Sequence, residues 1–173
     1  MNYPFLYQIV GKLNAEHIRS QLTLVGEKHT VWDDWTLQEV QSKELEKILL
    51  QLFPNLEIFK NKMYISAGVD CNFHIDRFEQ FHLLHRILIP LDSNYHYEWD
   101  LKGQIIRYQP TAGEVIVFNN MIPHRFATDV SGNNNRREVI YVDLIDPLAL
   151  KFMKHFDGNY SELNGHLASK YKS

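Results

Sequence analysis

Cysteine is nearly absent from this sequence, which has only Cys71 among 173 residues. One cysteine cannot form an intramolecular disulfide, so a disulfide-stapled scaffold is excluded and a reducing compartment is expected. The sequence also lacks any apolar run approaching the roughly 20 residues that a transmembrane helix needs. Its first residues, MNYPFLYQIVGKLN, lack the basic segment and long apolar stretch of a secretory signal peptide. These absences predict a soluble, cytoplasmic protein with no membrane partner.

Excess charge of one sign is missing as well. The formal net charge is −3 at pH 7, and a nucleic-acid-binding surface normally requires a basic excess. Internal repeats and low-complexity segments are absent, while the hydrophobic content of 45% is ordinary for a folded domain. At this length the chain suffices for one domain with a substantial core, which we expect to span residues 1–173.

The N-terminal third carries the helix patterns. Asn14 followed by AEHIRSQL predicts a short capped helix. Thr36 and Glu39 have the spacing of a capping box, and an apolar stripe follows, so the pattern predicts a helix over residues 36–53 that ends before Pro54. The run DPLALKFMKHF, at residues 146–156, predicts one further helix.

After Pro54 the apolar pattern changes to short β-rich runs separated by turn residues. About eight strands at this spacing favour a sandwich, jelly roll or barrel over a βαβ fold. We therefore predict helical N-terminal support over residues 1–55, a β core over 56–147 and a C-terminal helix and tail over 148–173. The predicted strands are LEIFKNKMYISAG, FHIDRF, LHRILIPL, YHYEWD, GQIIRYQP, GEVIVFNN, HRFATDV and REVIYVDLI.

His74 and Asp76 lie two residues apart in one of these strands. Side chains at that spacing leave the same face of a sheet, which is the geometry that two ligands of one metal ion need. The pattern alone is weak, because nine histidines and ten aspartates in 173 residues produce His-x-Asp by chance about once in every two such sequences. Polar residues on a solvated strand face are the competing interpretation.

His124 lies 50 residues beyond His74, after GEVIVFNNMIP, where a predicted strand ends in a turn. Two histidines and one carboxylate on a β scaffold match the ligand set of non-heme Fe(II) oxygenases, which leaves coordination positions open. The lack of cysteine ligands argues against structural zinc. A turn that happens to end in a histidine is the alternative for His124.

Arg137 begins the last predicted strand, REVIYVDL. Glu138 is the poorer candidate for an interior position, so the alternation of a strand predicts that Arg137 faces the interior. A buried guanidinium needs a carboxylate partner, and its planar fork suits a bidentate one. A dicarboxylate between the metal and the arginine would supply that partner. The alternative is a solvated arginine after the loop SGNNN.

In this order, the features resemble the 2-oxoglutarate- and Fe(II)-dependent dioxygenases. The resemblance covers roughly residues 60–147 and consists of His74-x-Asp76, HRILIPL, GEVIVFNNMIPH, and Arg137 six residues before Asp143. Within that superfamily the chain is most similar to the aspartyl/asparaginyl β-hydroxylase-like branch, which includes small proline hydroxylases.

The resemblance implies a double-stranded β-helix, a jelly roll of the cupin type. It implies that His74, Asp76 and His124 hold Fe(II), and that Arg137 pairs with the distal carboxylate of 2-oxoglutarate. It further implies a hydroxylase that uses O2 and 2-oxoglutarate and releases succinate and CO2. Its substrate would be an amino acid, a peptidyl side chain of the Asp, Asn or Pro type, or a small polar metabolite. The oligomeric state is left open.

The chain departs from the family pattern in the strand HRILIPL. Family members often carry Arg-x-His there, whereas residues 86–88 are Arg-Ile-Leu, which retains Arg86 as a second cosubstrate contact and loses the histidine. Unlike the branch members that have no carboxylate ligand, this chain has Asp76. His82 and Asn120 are weaker candidates for substrate contacts. The alternative function is a cupin-like metal-binding isomerase or binding domain without oxygenase activity.

Overall fold

Most elements of the described chain are strands, with two helices among the first strands and one helix after the last. A computed structural model describes residues 5–32, 35–68, 71–75, 84–127 and 137–155. Within these ranges there are ten strands and three helices. In chain order they are β1 (Tyr7–Lys12), α1 (Ala15–Ser20), β2 (Thr23–Trp32), β3 (Trp35–Gln41), α2 (Lys43–Leu52), β4 (Glu57–Gly68), β5 (Leu84–Pro90), β6 (His96–Leu101), β7 (Gln104–Tyr108), β8 (Glu114–Phe118), β9 (His124–Ala127), β10 (Arg137–Ile145) and α3 (Pro147–His155).

Two antiparallel sheets contain these strands. In the described ranges, the larger sheet has the order β1-β8-β5-β10-β4-β3-β2 and the smaller sheet has the order β7-β6-β9. A β-bridge between His74 and His124 adds the segment 71–75 to the free side of β9. The protein is therefore mainly β, with the antiparallel organisation of a jelly roll.

Each face of the larger sheet has its own apolar layer. The inner face packs against the smaller sheet, so the two sheets face each other across a shared core. The outer face is covered by α1 and α2. The inner layer includes Leu88, Ile116, Phe118 and Val139 of the larger sheet with Tyr97, Trp99 and Phe126 of the smaller, and the outer layer includes Ile18, Leu45 and Leu49 with Ile87, Ile140 and Val142.

The short helix predicted after Asn14 is confirmed as α1. The side chain of Asn14 caps it by accepting a hydrogen bond from the backbone N–H of His17 at 3.0 Å. Ile18 on its inner face is buried. The predicted C-terminal helix is confirmed as α3, and none of the helices in the described ranges is long and apolar enough to cross a membrane.

The helix predicted over residues 36–53 is wrong in its first part. Residues 35–41 form β3, and α2 begins at Lys43 behind a different cap, Ser42, whose hydroxyl accepts a hydrogen bond from the backbone N–H of Leu45 at 3.2 Å. Pairing of β3 with β4 overrides the local helical pattern, and β-branched side chains such as Val40 favour that outcome.

The expectation of helical support over residues 1–55 is therefore wrong in part, because β1, β2 and β3 lie in that region beside the two helices. By contrast, the strands predicted after Pro54 are confirmed as β4 to β10, and of FHIDRF only residues 73–75 are described. The single-domain organisation stays a prediction.

Candidate metal and carboxylate site

His74 and His124 are neighbours across the β-bridge. The backbone N–H of His74 donates to the carbonyl of His124 at 3.0 Å, and the N–H of His124 donates back at 2.9 Å. The centroids of the two imidazole rings are 4.6 Å apart. His124 is buried and His74 is partly buried. The fold thus brings together two histidines that are 50 residues apart in the sequence.

The backbone orients both imidazoles in the same way. Nδ1 of His74 lies 2.8 Å from the carbonyl oxygen of Asn72, and Nδ1 of His124 lies 2.8 Å from that of Ile122. A carbonyl oxygen can only accept, so Nδ1 donates a proton in each ring. In a neutral imidazole the lone pair then lies on Nε2, and metal-binding histidines are commonly oriented by such a hydrogen bond. Both residues therefore fit the ligation of a metal through Nε2.

The predicted carboxylate ligand, Asp76, lies outside the described residues, as does His82. In the part of the chain that the structure describes, no group of three or more histidine, cysteine, aspartate or glutamate side chains is arranged to hold a metal ion. The two-histidine half of the predicted ligand set is brought together, and the participation of Asp76 stays a prediction.

Arg137 lies in the interior between the sheets, as its strand parity predicts, with a relative exposure of 1%. Its guanidinium carbon lies 3.1 Å from the ring centroid of Phe126, 4.1 Å from that of Trp35 and 5.2 Å from that of Tyr95. We call these three rings the aromatic cage. Among the described residues, none of the three guanidinium nitrogens has a hydrogen-bond partner. A buried cation with unmet donors creates a site for an anion.

Strand β9 connects the histidine pair to the aromatic cage. His124 and Phe126 are two residues apart on β9, so their side chains leave the same face, and both are buried. Two residues of strand span about 7 Å. The histidine pair and Arg137 therefore lie on the same side of the smaller sheet.

Among the described residues, the half-buried carboxylate of Asp92 attracts Arg137 but forms no hydrogen bond with it. Burial raises the pKa of Asp92, and the positive charge of Arg137 opposes part of that rise. One carboxylate oxygen of Asp92 accepts from the backbone N–H of Glu138 at 2.6 Å. The hydroxyls of Tyr95 and Tyr97 lie 3.1 Å apart, and burial raises the pKa of both phenols, so both keep their protons.

Arg86, the predicted second cosubstrate contact, already has a carboxylate partner. Its Nε and Nη2 donate to the two oxygens of Asp143 at 2.9 and 3.0 Å, a bidentate pair between β5 and β10. A role of Arg86 toward a cosubstrate stays a prediction and would require this pair to open. Asn120 is 2% exposed, and its Nδ2 has no hydrogen-bond partner among the described residues. Its substrate contact also stays a prediction.

The sequence did not indicate the aromatic cage. Trp35 directly precedes the run that the sequence predicted as helix, and its aromatic pattern favoured core packing. Tyr95 and Phe126 belong to aromatic-rich runs that are equally typical of core packing. The carbonyl groups that orient His74 and His124 belong to the residue two positions earlier in each case. A backbone contact of this kind leaves no signature in residue types.

No protein-family model and no curated protein sequence matches the chain. Solved structures match its fold. A prolyl-4-hydroxylase from Pseudomonas putida is 17% identical with a TM-score of 0.52, over 80% of this chain and 90% of that one. An oxidoreductase of the 2OG-Fe(II) oxygenase family from Burkholderia pseudomallei is 15% identical with a TM-score of 0.51, over 76% of this chain and 75% of that one.

EvdMO1 also matches, at 12% identity and a TM-score of 0.53, over 82% of this chain but only 47% of its own length. At these identities the comparisons bear on the fold. The aspartyl/asparaginyl branch that the sequence resembles stays a prediction. The chain thus shares a mainly β fold with proteins that include 2-oxoglutarate- and Fe(II)-dependent oxygenases.

Proposed function

We propose that the protein is a 2-oxoglutarate- and Fe(II)-dependent oxygenase that hydroxylates an amino acid, a peptidyl side chain or a small polar metabolite. The observation that carries this proposal is Arg137, whose guanidinium is buried with all three nitrogens lacking partners among the described residues. A carboxylate matches its planar fork and its charge. A cupin-like binding or isomerase domain, the alternative left by the sequence, leaves this cation without a use.

The strand order supports a double-stranded β-helix. From β4 onward, the chain passes between the sheets in the order large (β4), small (71–75), large (β5), small (β6 and β7), large (β8), small (β9) and large (β10). Four of these segments lie side by side in each sheet. Eight segments in two facing sheets are the arrangement that a jelly roll requires.

The residues also fit Fe(II). Nε2 of His74 and Nε2 of His124 would be two ligands, and Asp76, two positions after His74, would be the third. Imidazole and carboxylate ligands together suit Fe(II). Bound iron would supply oxidation of the substrate by O2, coupled to conversion of 2-oxoglutarate to succinate and CO2.

The side chains of the protein would bind and orient the 2-oxo acid and exclude water from it. Arg137 would bind the distal carboxylate and thereby orient the 2-oxo acid end toward the histidine pair. The aromatic cage excludes water, and a charge pair in such a medium is stronger than in solvent. The buried hydroxyls of Tyr95 and Tyr97 remain protonated, so no negative phenolate competes for Arg137.

The test is aerobic incubation of the purified protein with Fe(II), ascorbate and 2-oxoglutarate, with succinate measured by mass spectrometry. We expect succinate to form above the protein-free level, and to increase with a true substrate whose mass rises by one oxygen. His124→Ala and Asp76→Ala should each abolish succinate formation, since each removes a proposed iron ligand. His29→Ala is the matched control, because His29 is exposed on β2.

A protein that binds neither Fe(II) nor 2-oxoglutarate, or that forms succinate equally well without His124, would refute the proposal. The substrate screen should cover free amino acids, peptides bearing Asp, Asn or Pro, and small polar metabolites.

A further inference from the structure

The packing near Arg137 depends on the absence of a side chain at Gly68. Gly68 ends β4 and pairs directly with Arg137 of β10. A Cβ added to Gly68 would lie 2.6, 2.7 and 2.9 Å from the Cδ2, Cε2 and Cγ atoms of Trp35. These distances are shorter than real Cβ contacts allow. The indole of Trp35 can therefore occupy its position only because residue 68 has no side chain.

Trp35 reaches Arg137 across this glycine. Thr36 pairs with Ala67, which places Trp35 opposite Gly68, and β10 lies on the other side of β4. Strands β3 and β10 are two strand spacings apart, about 9.5 Å. A side chain on β4 would normally lie between the side chains of these two strands. Because Gly68 has none, the indole and the guanidinium meet above it, with 4.1 Å from the guanidinium carbon to the ring centroid.

The indole holds the guanidinium without using its donors. A cation is attracted to an aromatic face through the ring quadrupole, and this attraction leaves every N–H available for another partner. Trp35 also contacts Phe126 of the aromatic cage, with 5.5 Å between ring centroids. The orientation of Arg137 therefore depends on a residue of β3, far in sequence from the histidine pair.

We propose that Trp35 and Gly68 position Arg137 and thereby set the preference of the site for a 2-oxo acid that carries a distal carboxylate. This inference rests on the proposed function, which supplies the 2-oxo acid. Trp35 acts through Arg137 and is a positioning residue. If it merely stabilised the core, its loss would weaken the binding of every 2-oxo acid alike.

The experiment compares two ligands that differ only at the distal end. Full-length protein loaded with Mn(II) is titrated calorimetrically with 2-oxoglutarate and with 2-oxovalerate, which has a methyl group in place of the distal carboxylate. Trp35→Leu and Gly68→Ala should each raise the Kd for 2-oxoglutarate by about tenfold or more, as expected for a displaced charge pair, and change the Kd for 2-oxovalerate by less than about threefold.

Two further variants make the test independent of any loss of folding. Trp35→Phe keeps an aromatic face and should retain most of the preference for 2-oxoglutarate. The double variant Trp35→Leu with Gly68→Ala should bind 2-oxoglutarate no more weakly than the single variant with the lower affinity. Both changes remove the same contact, that between Trp35 and Arg137.

An equal loss of affinity for both acids in Trp35→Leu and Trp35→Phe would overturn the inference. If the wild-type protein prefers 2-oxoglutarate and every variant keeps that preference, the inference is overturned while the proposed function stands. A wild-type protein that binds neither acid would refute the proposed function together with the inference.

Discussion

Arg137 places a full positive charge in a region that excludes water, and this is costly for the folded protein. The aromatic cage offsets part of that cost through the ring quadrupoles. The carboxylate of Asp92 also attracts this charge, but the guanidinium nitrogens have no hydrogen-bond partners in the described part of the chain. If Arg137 binds an anion, as we propose, the ligand-free protein bears this cost and anion binding relieves it.

Arg137→Met should therefore increase the free energy of unfolding of the ligand-free protein, by about 1 kcal/mol or more, because it removes a desolvated charge and keeps the volume. The same variant should lose the rise in Tm that 2-oxoglutarate gives the Mn(II)-loaded wild type. Urea unfolding and thermal unfolding measure the two effects.

Arg125→Met is the matched control, and we expect it to lower the free energy of unfolding. Arg125 donates through Nε at 2.6 Å to Glu98, which is fully buried, so its loss leaves a buried carboxylate with one partner fewer. If Arg137→Met destabilises the protein as much as Arg125→Met does, Arg137 is a structural residue and the anion site is wrong.

Sequence reasoning identified individual side chains that the structure buries or brings together. The order of His74, His124 and Arg137 could be read because histidine and arginine are conspicuous in apolar strands. Trp35 and Gly68 could not be found in this way, because an aromatic residue and a glycine are ordinary in a core. Their role depends on three strands lying side by side, which residue types alone do not show.

Among the elements, α2 shows how a local pattern misleads. Thr36 and Glu39 have the spacing of a capping box, whereas the residue three positions after Ser42 is Leu45, which does not complete one. Only Ser42 caps the helix, because residues 35–41 are taken into the larger sheet by pairing with β4. The helix itself and its end before Pro54 were predictable, since the apolar stripe of α2 is local information.

Ser42→Ala should lower the free energy of unfolding by about 1 kcal/mol, because it removes the acceptor for the first turn of α2. Thr36→Val, at the cap that the sequence suggested, should cost less. Valine suits a strand as well as threonine does, although the change removes the hydrogen bond that the Thr36 hydroxyl donates to the carbonyl of Ala67 at 3.2 Å. Urea unfolding of both variants checks this. A larger loss for Thr36→Val would show that the helix begins earlier than Lys43.

The turn before β8 depends on a close backbone approach. Gly113 has a φ of +85°, and a Cβ there would lie 2.0 Å from the carbonyl oxygen of Leu13. Gly103 has a similar φ of +90°, but a Cβ there would have no neighbour within 4 Å. Alanine substitutions at these two glycines therefore separate the free-energy cost of a left-handed conformation from the cost of a steric clash.

Gly103→Ala should destabilise the protein by about 1 kcal/mol, the cost of a left-handed alanine. Gly113→Ala should cost at least about 2 kcal/mol more, because the added Cβ also displaces Leu13. The backbone N–H of Leu13 donates a hydrogen bond to the carbonyl of Gly113 at 2.7 Å. Chemical denaturation measures both values. Equal losses would mean that β1 can move away from this turn.

For the whole molecule, the division into strands after Pro54 was predictable, while the N-terminal strands were not. The β-rich runs of β4 to β10 and the turn residues between them are visible in the sequence itself. Strand β1, by contrast, pairs with β8, where Tyr7 lies opposite Phe118, so its partner is more than a hundred residues away. Local periodicity carries no information about a partner at that distance, and only the assembled sheet decides the state of such a segment.

We propose that one interior space would hold a metal at the histidine pair and a dicarboxylate at Arg137. A crystal structure of the protein with Mn(II) and 2-oxoglutarate tests it most directly, because the anomalous signal of manganese locates the metal. We predict a manganese peak bonded to Nε2 of His74 and of His124, with the distal carboxylate paired in bidentate fashion to Arg137. A manganese peak remote from both histidines, or 2-oxoglutarate bound without contact to Arg137, would show that these residues do not form one site.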